Sequence, residues 1–189
     1  MKIGVLSLQG GFAEHMRQIE SLGHEAIAIR NQCDLEDLSG IILPGGESTT
    51  IAKLLKVTGL MEPLKNKIKN GLPTFGTCAG MILLAKDIDG ELSHLALMNI
   101  KIKRNAFGRQ SASFRTFSTI KYIDKSIELV FIRAPYVEEV MGDVEILGKV
   151  EDKIVAVREG NIIATAFHPE LTEDLSFMKY FIKLCTSFK

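Results

Sequence analysis

Apolar and polar positions follow two rhythms along this chain. "KIGVLSL" (2–8), "EAIAI" (25–29) and "GIIL" (40–43) are short apolar runs bounded by turn residues, and each reads as a buried strand. Between them, Phe12, Met16, Ile19 and Leu22 recur at helical spacing, and Gly23 supplies a stop. Ser48 is placed to cap a helix carrying Ile51, Leu54 and Leu55, while Leu64 and Ile68 mark another that ends near Gly71. Strand alternating with helix requires crossover connections, and so predicts a mainly parallel sheet covered on both faces.

From residue 99 the rhythm changes. "NIKIKRN" (99–105), "FSTIKYI" (117–123), "ELVFIRA" (128–134), "VEILGKV" (144–150), "KIVAVRE" (153–159) and "NIIATAF" (161–167) are closely spaced strand candidates. Glu151-Asp152 and Glu159-Gly160 offer tight connections, so this part is expected to add antiparallel strands. Leu175, Met178, Phe181, Ile182 and Cys185 form a final helical stripe. With no repeat, low-complexity segment or linker, residues 1–189 are expected to form one α/β domain.

Composition narrows the function classes. The 189 residues suit one substantial core, and 46% hydrophobic with 24% charged residues is ordinary for a soluble globular protein. Lys+Arg and Asp+Glu are 23 each, so nothing points to nucleic acid or an anionic membrane as partner. Lys65, Lys67 and Lys69 read as one solvated helix face. Cys33, Cys78 and Cys185 are odd in number and lack Cys-x-x-Cys spacing, which argues against a disulfide framework or a zinc finger. The first apolar run is too short for a signal peptide, and no segment approaches a membrane span of about 20 apolar residues. A reduced, cytoplasmic protein is expected.

Candidate chemistry centres on "LPTFGTCAGMI" (72–82), where a thiol stands between two glycines as a strand gives way to a helix. Gly76-x-Cys78-x-Gly80 is the thiol version of a nucleophile elbow, in which a sharp turn lifts the nucleophile clear of the sheet. Residues two away must be small because the backbone doubles back, and the Ala79 amide points where an oxyanion would form. An unassisted thiol is only about 3% thiolate at neutral pH, so a base is required. The competing reading is a buried cysteine in a glycine-rich turn.

"AFHPELTED" (166–174) supplies the base. His168 and Glu170, flanking Pro169, are expected on one side of an extended backbone, where Glu170 can orient the imidazole and stabilise its protonated form. Taken with the elbow, this pair makes Cys-His-Glu covalent catalysis the better reading. In "ILPGGESTT" (42–50), the Gly45-Gly46 peptide can turn an N–H toward the oxyanion. A phosphate cradle fits less well, since no Walker lysine is present and Glu47 would repel phosphate. His15, His24 and His94 read as surface or packing residues, and Cys33 and Cys185 as inert thiols. A metal site made of Cys78, His168 and Glu170 would lack any familiar ligand spacing.

"LPGGEST", "FGTCAG" and "FHPELTED" together resemble the class I, triad-type glutamine amidotransferases. "GVLSLQGG", "KRNAFGRQ" and "FIRAP" extend the likeness, over essentially the whole chain, to the glutaminase subunits of pyridoxal 5′-phosphate synthases. The resemblance implies a three-layer α/β/α domain of flavodoxin type with no cofactor or metal of its own. It implies Cys78 as nucleophile, His168 as base, Glu170 as orienter, and an oxyanion hole from Gly45, Gly46 and Ala79. It sets L-glutamine against Gly46, Glu47, Ser48, Arg104, Ile132 and Arg133, with ammonia passed to a separate synthase (lyase) subunit in a large hetero-oligomer. Gln9 becomes a candidate for relaying partner contact to the Gly45-Gly46 peptide. A stand-alone γ-glutamyl cysteine hydrolase and a non-catalytic regulatory subunit remain as alternatives.

Overall fold

The computed structural model describes residues 1–104 and 113–187. The three opening strands are β1 (Lys2–Leu6), β2 (Glu25–Ile29) and β3 (Gly40–Leu43), with helix α1 (Phe12–Ser21) between the first two. Gly23, at φ +77°, ends α1 by donating its N–H to the Glu20 carbonyl. Helices α2 (Ser48–Val57) and α3 (Met61–Lys69) lead into β4 (Thr74–Thr77) and the short α4 (Ala79–Leu84). Then follow β5 (Ala85–Ile88), β6 (Met98–Lys103), β7 (Ser113–Thr119), β8 (Ser126–Ile132) and β9 (Tyr136–Val140). The chain closes with β10 (Glu145–Val150), β11 (Lys153–Glu159), β12 (Ile162–Thr165) and helix α5 (Ser176–Ser187).

Strands run β2-β1-β3-β4-β12-β11-β9-β6-β5 across the main sheet, with β10 pairing onto β11. The five from β2 to β12 are parallel, in the flavodoxin-type order. Beyond β12 the neighbours are antiparallel as far as β6. The added strands therefore extend one edge of a parallel core. β7 and β8 form a separate antiparallel pair.

Side-chain alternation on β4 defines the layers. The Phe75 ring meets His15 of α1 and Phe177 and Phe181 of α5. A Cβ on the next residue, Gly76, would lie 2.7 Å from the Gly80 carbonyl carbon and 2.7 Å from Leu84 Cδ1, both in α4. Successive strand residues face opposite sides. So α1 and α5 cover one face, while α4, α2 against it, and α3 against α2 cover the other. The expected three layers are present.

Several boundaries differ from expectation. Ser48 does not cap α2: Glu47 is the extended residue before it (φ −101°, ψ 108°), and Ser48 is already helical. The Glu47 N–H is held by Gln9 Oε1 at 2.9 Å, which fixes Glu47 outside the helix. The strand expected over 117–123 ends at Thr119, where Lys121 donates to the Leu147 carbonyl and Tyr122 turns the chain at φ +68°. The strand expected over 128–134 ends at Ile132, with Arg133 at φ +45°. β5 and β9 were not expected: β5 buries only its two ends, and β9 only Val137. The part of "KRNAFGRQ" after Arg104 lies outside the described residues.

Cys185 illustrates close packing between layers. A Cβ on Gly40 of β3 would fall 2.4 Å from its Sγ and 3.1 Å from Phe181 Cζ. Gly40→Ala should cost about 1–3 kcal/mol through overpacking. Cys185→Ala in the same chain should recover most of that loss by vacating the sulfur's space. Urea midpoints for the two single variants and the double variant measure this; strictly additive losses would show that the two sites do not meet.

Candidate active site

The elbow forms where β4 becomes α4. Cys78 sits at φ +48° and ψ −99°, a backbone conformation that side chains rarely adopt. Its N–H donates to the Thr165 carbonyl of β12 at 2.7 Å, which holds the turn to the neighbouring strand. Both flanking glycines are required sterically. A Cβ on Gly80 would lie 1.9 Å from the Leu43 carbonyl oxygen, and one on Gly76 would collide with Gly80. The Cys78 sulfur is 4.0 Å from the Ile132 carbonyl oxygen, which brings the end of β8 to the site. Arg133 follows Ile132 and is exposed.

His168 arrives from the turn after β12. The His168 N–H donates to the Val130 carbonyl at 2.8 Å, and Pro169–Leu171 form a 3₁₀ turn directly after it. His168 Nδ1 and Glu170 Oε1 are 2.7 Å apart. The expected contact is present, but its cause differs: the turn, with Pro169 fixing its first φ, folds Glu170 back instead of an extended chain aligning the pair. With Nδ1 taken, Nε2 is the nitrogen left for the Cys78 sulfur. Burial works against a charged imidazole, yet hydrogen bonds with Cys78 and Glu170, and the charges of both, raise the His168 pKa to about 10.

Glu170 is buried, and burial alone would favour its neutral form. Attraction to His15 and His168, with the His168 hydrogen bond, outweighs burial and lowers its pKa. His15 itself is fully buried on α1, and that burial lowers its own pKa despite the nearby Glu170 charge. Burial thus biases His15 toward its uncharged form, which weakens its attraction for Glu170, whereas His168, raised to about 10, carries its charge 2.7 Å from the carboxylate. Sequence reasoning set His15 aside as surface or packing. Its Nε2 lies 3.5 Å from Glu170 Oε2 and 3.3 Å from Thr77 Oγ1. The signal was available, because position 15 falls on the same helical face as Phe12, Met16 and Ile19.

The Gly45-Gly46 segment lies against this pair. A Cβ on Gly45 would fall 2.3 Å from His168 Cε1, and one on Gly46 2.5 Å from Gln9 Oε1. The Gly45 carbonyl accepts the Gly11 N–H at 3.0 Å, so the trans peptide sends the Gly46 N–H to the opposite side. Gly10, at φ +101°, passes so close that a Cβ there would lie 1.9 Å from the Gly45 oxygen. Ala79 opens α4, where backbone N–H groups have no partner within the helix. The Ser48 hydroxyl is buried with no hydrogen-bond partner.

Arg104 comes to the same end of the sheet. It pairs with Glu47 at 3.2 Å and, more closely, with Glu91, a residue that sequence reasoning did not single out. Glu91 also meets His94 Nε2 at 3.1 Å, so His94 buttresses the Arg104 anchor. His24 is partly exposed beside Gly23, away from this set. Cys33 is exposed, and Cys185 is buried with its thiol pKa pushed up to about 12 by that burial. Among the described residues, no group of three or more His, Cys, Asp or Glu is arranged to hold a metal ion. A cavity of 670 Å³ between α5 and residues 122–125 is lined by none of these residues.

Known proteins share both the sequence and the architecture. The chain is 60% identical to the pyridoxal 5′-phosphate synthase subunit PdxT of Clostridium beijerinckii, over 97% of each chain. It is 51% identical to the subunit of the same name from Moorella thermoacetica, over 97% of this chain and 99% of that one. A crystal structure of a glutamine amidotransferase superposes with a TM-score of 0.93 at 43% identity, covering 97% of this chain and 98% of that one. A model of the SNO glutamine amidotransferase family matches residues 5–187, and the chain belongs to that family.

Proposed function

We propose that this chain, acting as one domain, is the glutaminase subunit of a pyridoxal 5′-phosphate synthase, with Cys78, His168 and Glu170 as its catalytic triad. The observation that carries this reading is the strained Cys78 elbow facing a histidine whose far nitrogen is held 2.7 Å from a buried carboxylate. The Cys78 thiolate attacks the side-chain carboxamide carbon of L-glutamine. The N–H groups of Ala79 and Gly46 receive the oxyanion. His168 gives its proton to the leaving nitrogen, releasing ammonia and leaving a γ-glutamyl thioester. Water, deprotonated by His168, then releases glutamate.

Substrate recognition follows from charge. Glutamine carries an α-ammonium and an α-carboxylate, and Glu47 and Arg104 stand side by side with the opposite signs. Gly46, Ser48, Ile132 and Arg133 complete the pocket, the orphaned Ser48 hydroxyl among them. Ammonia passes to a separate synthase subunit in a hetero-oligomer. The exposed Cys33 thiol suits a reducing cytoplasm. Docking of the synthase subunit gates the site through Gln9, which contacts the Glu47 N–H and stands against Gly46.

Three measurements test the reading. In the complex with a synthase subunit, Cys78→Ala should abolish glutamine hydrolysis, and a glutamine-directed alkylating analogue should label Cys78 alone. Hydrolysis by the isolated chain at the full rate of the complex would favour a stand-alone hydrolase, and failure of Cys78 labelling a non-catalytic subunit.

The second measurement concerns Glu170→Gln. The folded His168 value is raised, so its contribution to stability is complete below its ordinary 6.5 and is lost as pH rises through about 10. The Glu170 value is lowered, so its contribution is present above its ordinary 4.5 and is lost as pH falls through its folded value. Glu170→Gln should flatten both limbs of stability against pH, lower the His168 titration midpoint seen by NMR, and cost up to about 10⁴-fold in kcat. An unmoved midpoint would remove Glu170 from its role.

The third measurement concerns the gate. Gln9→Ala should leave the basal rate of the isolated chain little changed while reducing the stimulation by the synthase subunit, because loss of one oxyanion donor costs about 10²–10³ in kcat. Full stimulation of Gln9→Ala would rule out this relay.

A further inference from the structure

Glu170 Oε1 is engaged by His168, but Oε2 is buried and accepts no hydrogen bond within normal range. His15 brings a ring nitrogen to it, with Nε2 3.5 Å away. His15 is fully buried, its other nitrogen Nδ1 has no partner, and its ring stands nearly perpendicular to that of Phe75 at 6.1 Å between centroids. These facts select one tautomer. A proton on Nδ1 would bury a donor with no acceptor and turn the bare Nε2 lone pair toward a carboxylate. A proton on Nε2 leaves only an unused acceptor at Nδ1, the lesser penalty, and shares the hydrogen between Glu170 Oε2 and Thr77 Oγ1.

We infer that His15 is a positioning residue for the triad, a neutral donor that fixes the second oxygen of Glu170 and, through Thr77, ties it to the residue before the nucleophile. Contacts thus run from Cys78 through His168, Glu170, His15 and Thr77 back to Cys78. Neutrality matters here. A lysine or arginine in this place would offset the Glu170 charge that His168 needs, whereas an uncharged N–H orients the carboxylate and leaves its charge available to the imidazolium. The groups facing Glu170 are His168 from its own turn and His15 from α1, with Glu14 on the outer side of that helix acting on His15. Gln18, one helical turn on, donates to the Pro169 and Thr172 carbonyls at 3.1 Å each, so the same face of α1 holds the turn itself.

This inference rests on the triad reading, so its test reads the triad without substrate or partner subunit. In a Cys33→Ser background, the rate of Cys78 alkylation by iodoacetamide at neutral pH reports the thiolate that His168 sustains. His15→Gln keeps an N–H near the place of Nε2, whereas His15→Phe and His15→Leu remove it with different bulk. Both apolar variants should slow alkylation about 10-fold or more, with His15→Gln within about threefold of the parent. In the complex with a synthase subunit, kcat should fall by a similar factor at unchanged KM. A purely structural His15 predicts the reverse order, with the apolar variants at least as reactive and as thermally stable as His15→Gln. That order, or a parent-like rate in either apolar variant, overturns the inference. A His168→Ala chain that alkylates at the parent rate overturns the triad itself, and the positioning role with it.

Discussion

The site is organised around a charge that has to be kept dry. Glu170 exposes 1% of its side chain, and an ionised carboxylate in such a place is costly unless it is paired and hydrogen-bonded. The fold meets that demand from two elements distant in sequence. His168 comes from the same turn, and His15 comes from α1, near the opposite end of the chain. α1 cannot shift without uncovering a buried charge. That constraint fixes the helix on its face of the sheet, where Gln18 also holds the turn carrying Glu170.

The sheet supplies the second requirement, the Cys78 thiol raised above its carboxyl edge. Left-handed backbone at a residue with a side chain costs of order 1–3 kcal/mol and persists only where surrounding structure over-determines it. At Cys78 the determinants are identifiable. The N–H bond to Thr165 anchors the turn to β12, and the contact of Gly80 with the Leu43 carbonyl anchors it to β3. Neighbouring parallel strands on both sides therefore hold the elbow. The Gly45-Gly46 segment is the continuation of β3, and the loop after β1 seats against it, so the candidate site opens at the strand-order reversal beside β1 and β3.

What could be read from the sequence was what local spacing determines. The first three strands, the elbow and the His168–Glu170 pair are encoded within a few residues each. Hydrophobic period reveals the strands, glycine spacing the elbow, and the two-residue spacing around Pro169 the pair, although a turn and not an extended chain closes it. β5 and β9 escaped because each buries so little that no period emerges: Lys86 and Asp87 are exposed in one, Glu138 and Glu139 in the other. Glu91 and His15 escaped for another reason, since their partners Arg104 and Glu170 are brought close only by tertiary folding. His15 did carry a clue, a polar residue inside an apolar stripe, where a buried group must find a partner. Ser48 misled because a serine before an apolar stripe suits a cap; the Gln9 contact to Glu47, invisible in sequence, moved the helix start.

α1 has a mechanical consequence as well. Its ten residues span about 15 Å, short enough to behave as one stiff rod. At its leading end Gly11 holds the Gly45 carbonyl, and further along His15 and Gln18 hold Glu170 and its turn. The Gly45-Gly46 segment and the turn carrying His168 are therefore attached to the same rod, and neither can be moved from this side without loading the other. Under the proposed gate, a partner seated on residues 9–11 need not reach the thiol at all. Small displacements of the loop act on the Gly45-Gly46 peptide, while the buried carboxylate keeps the rod from following freely. Because the Gly11 N–H holds the Gly45 carbonyl and the same helix holds Glu170 and its turn, a load on residues 9–11 reaches both sides of the candidate site through one element.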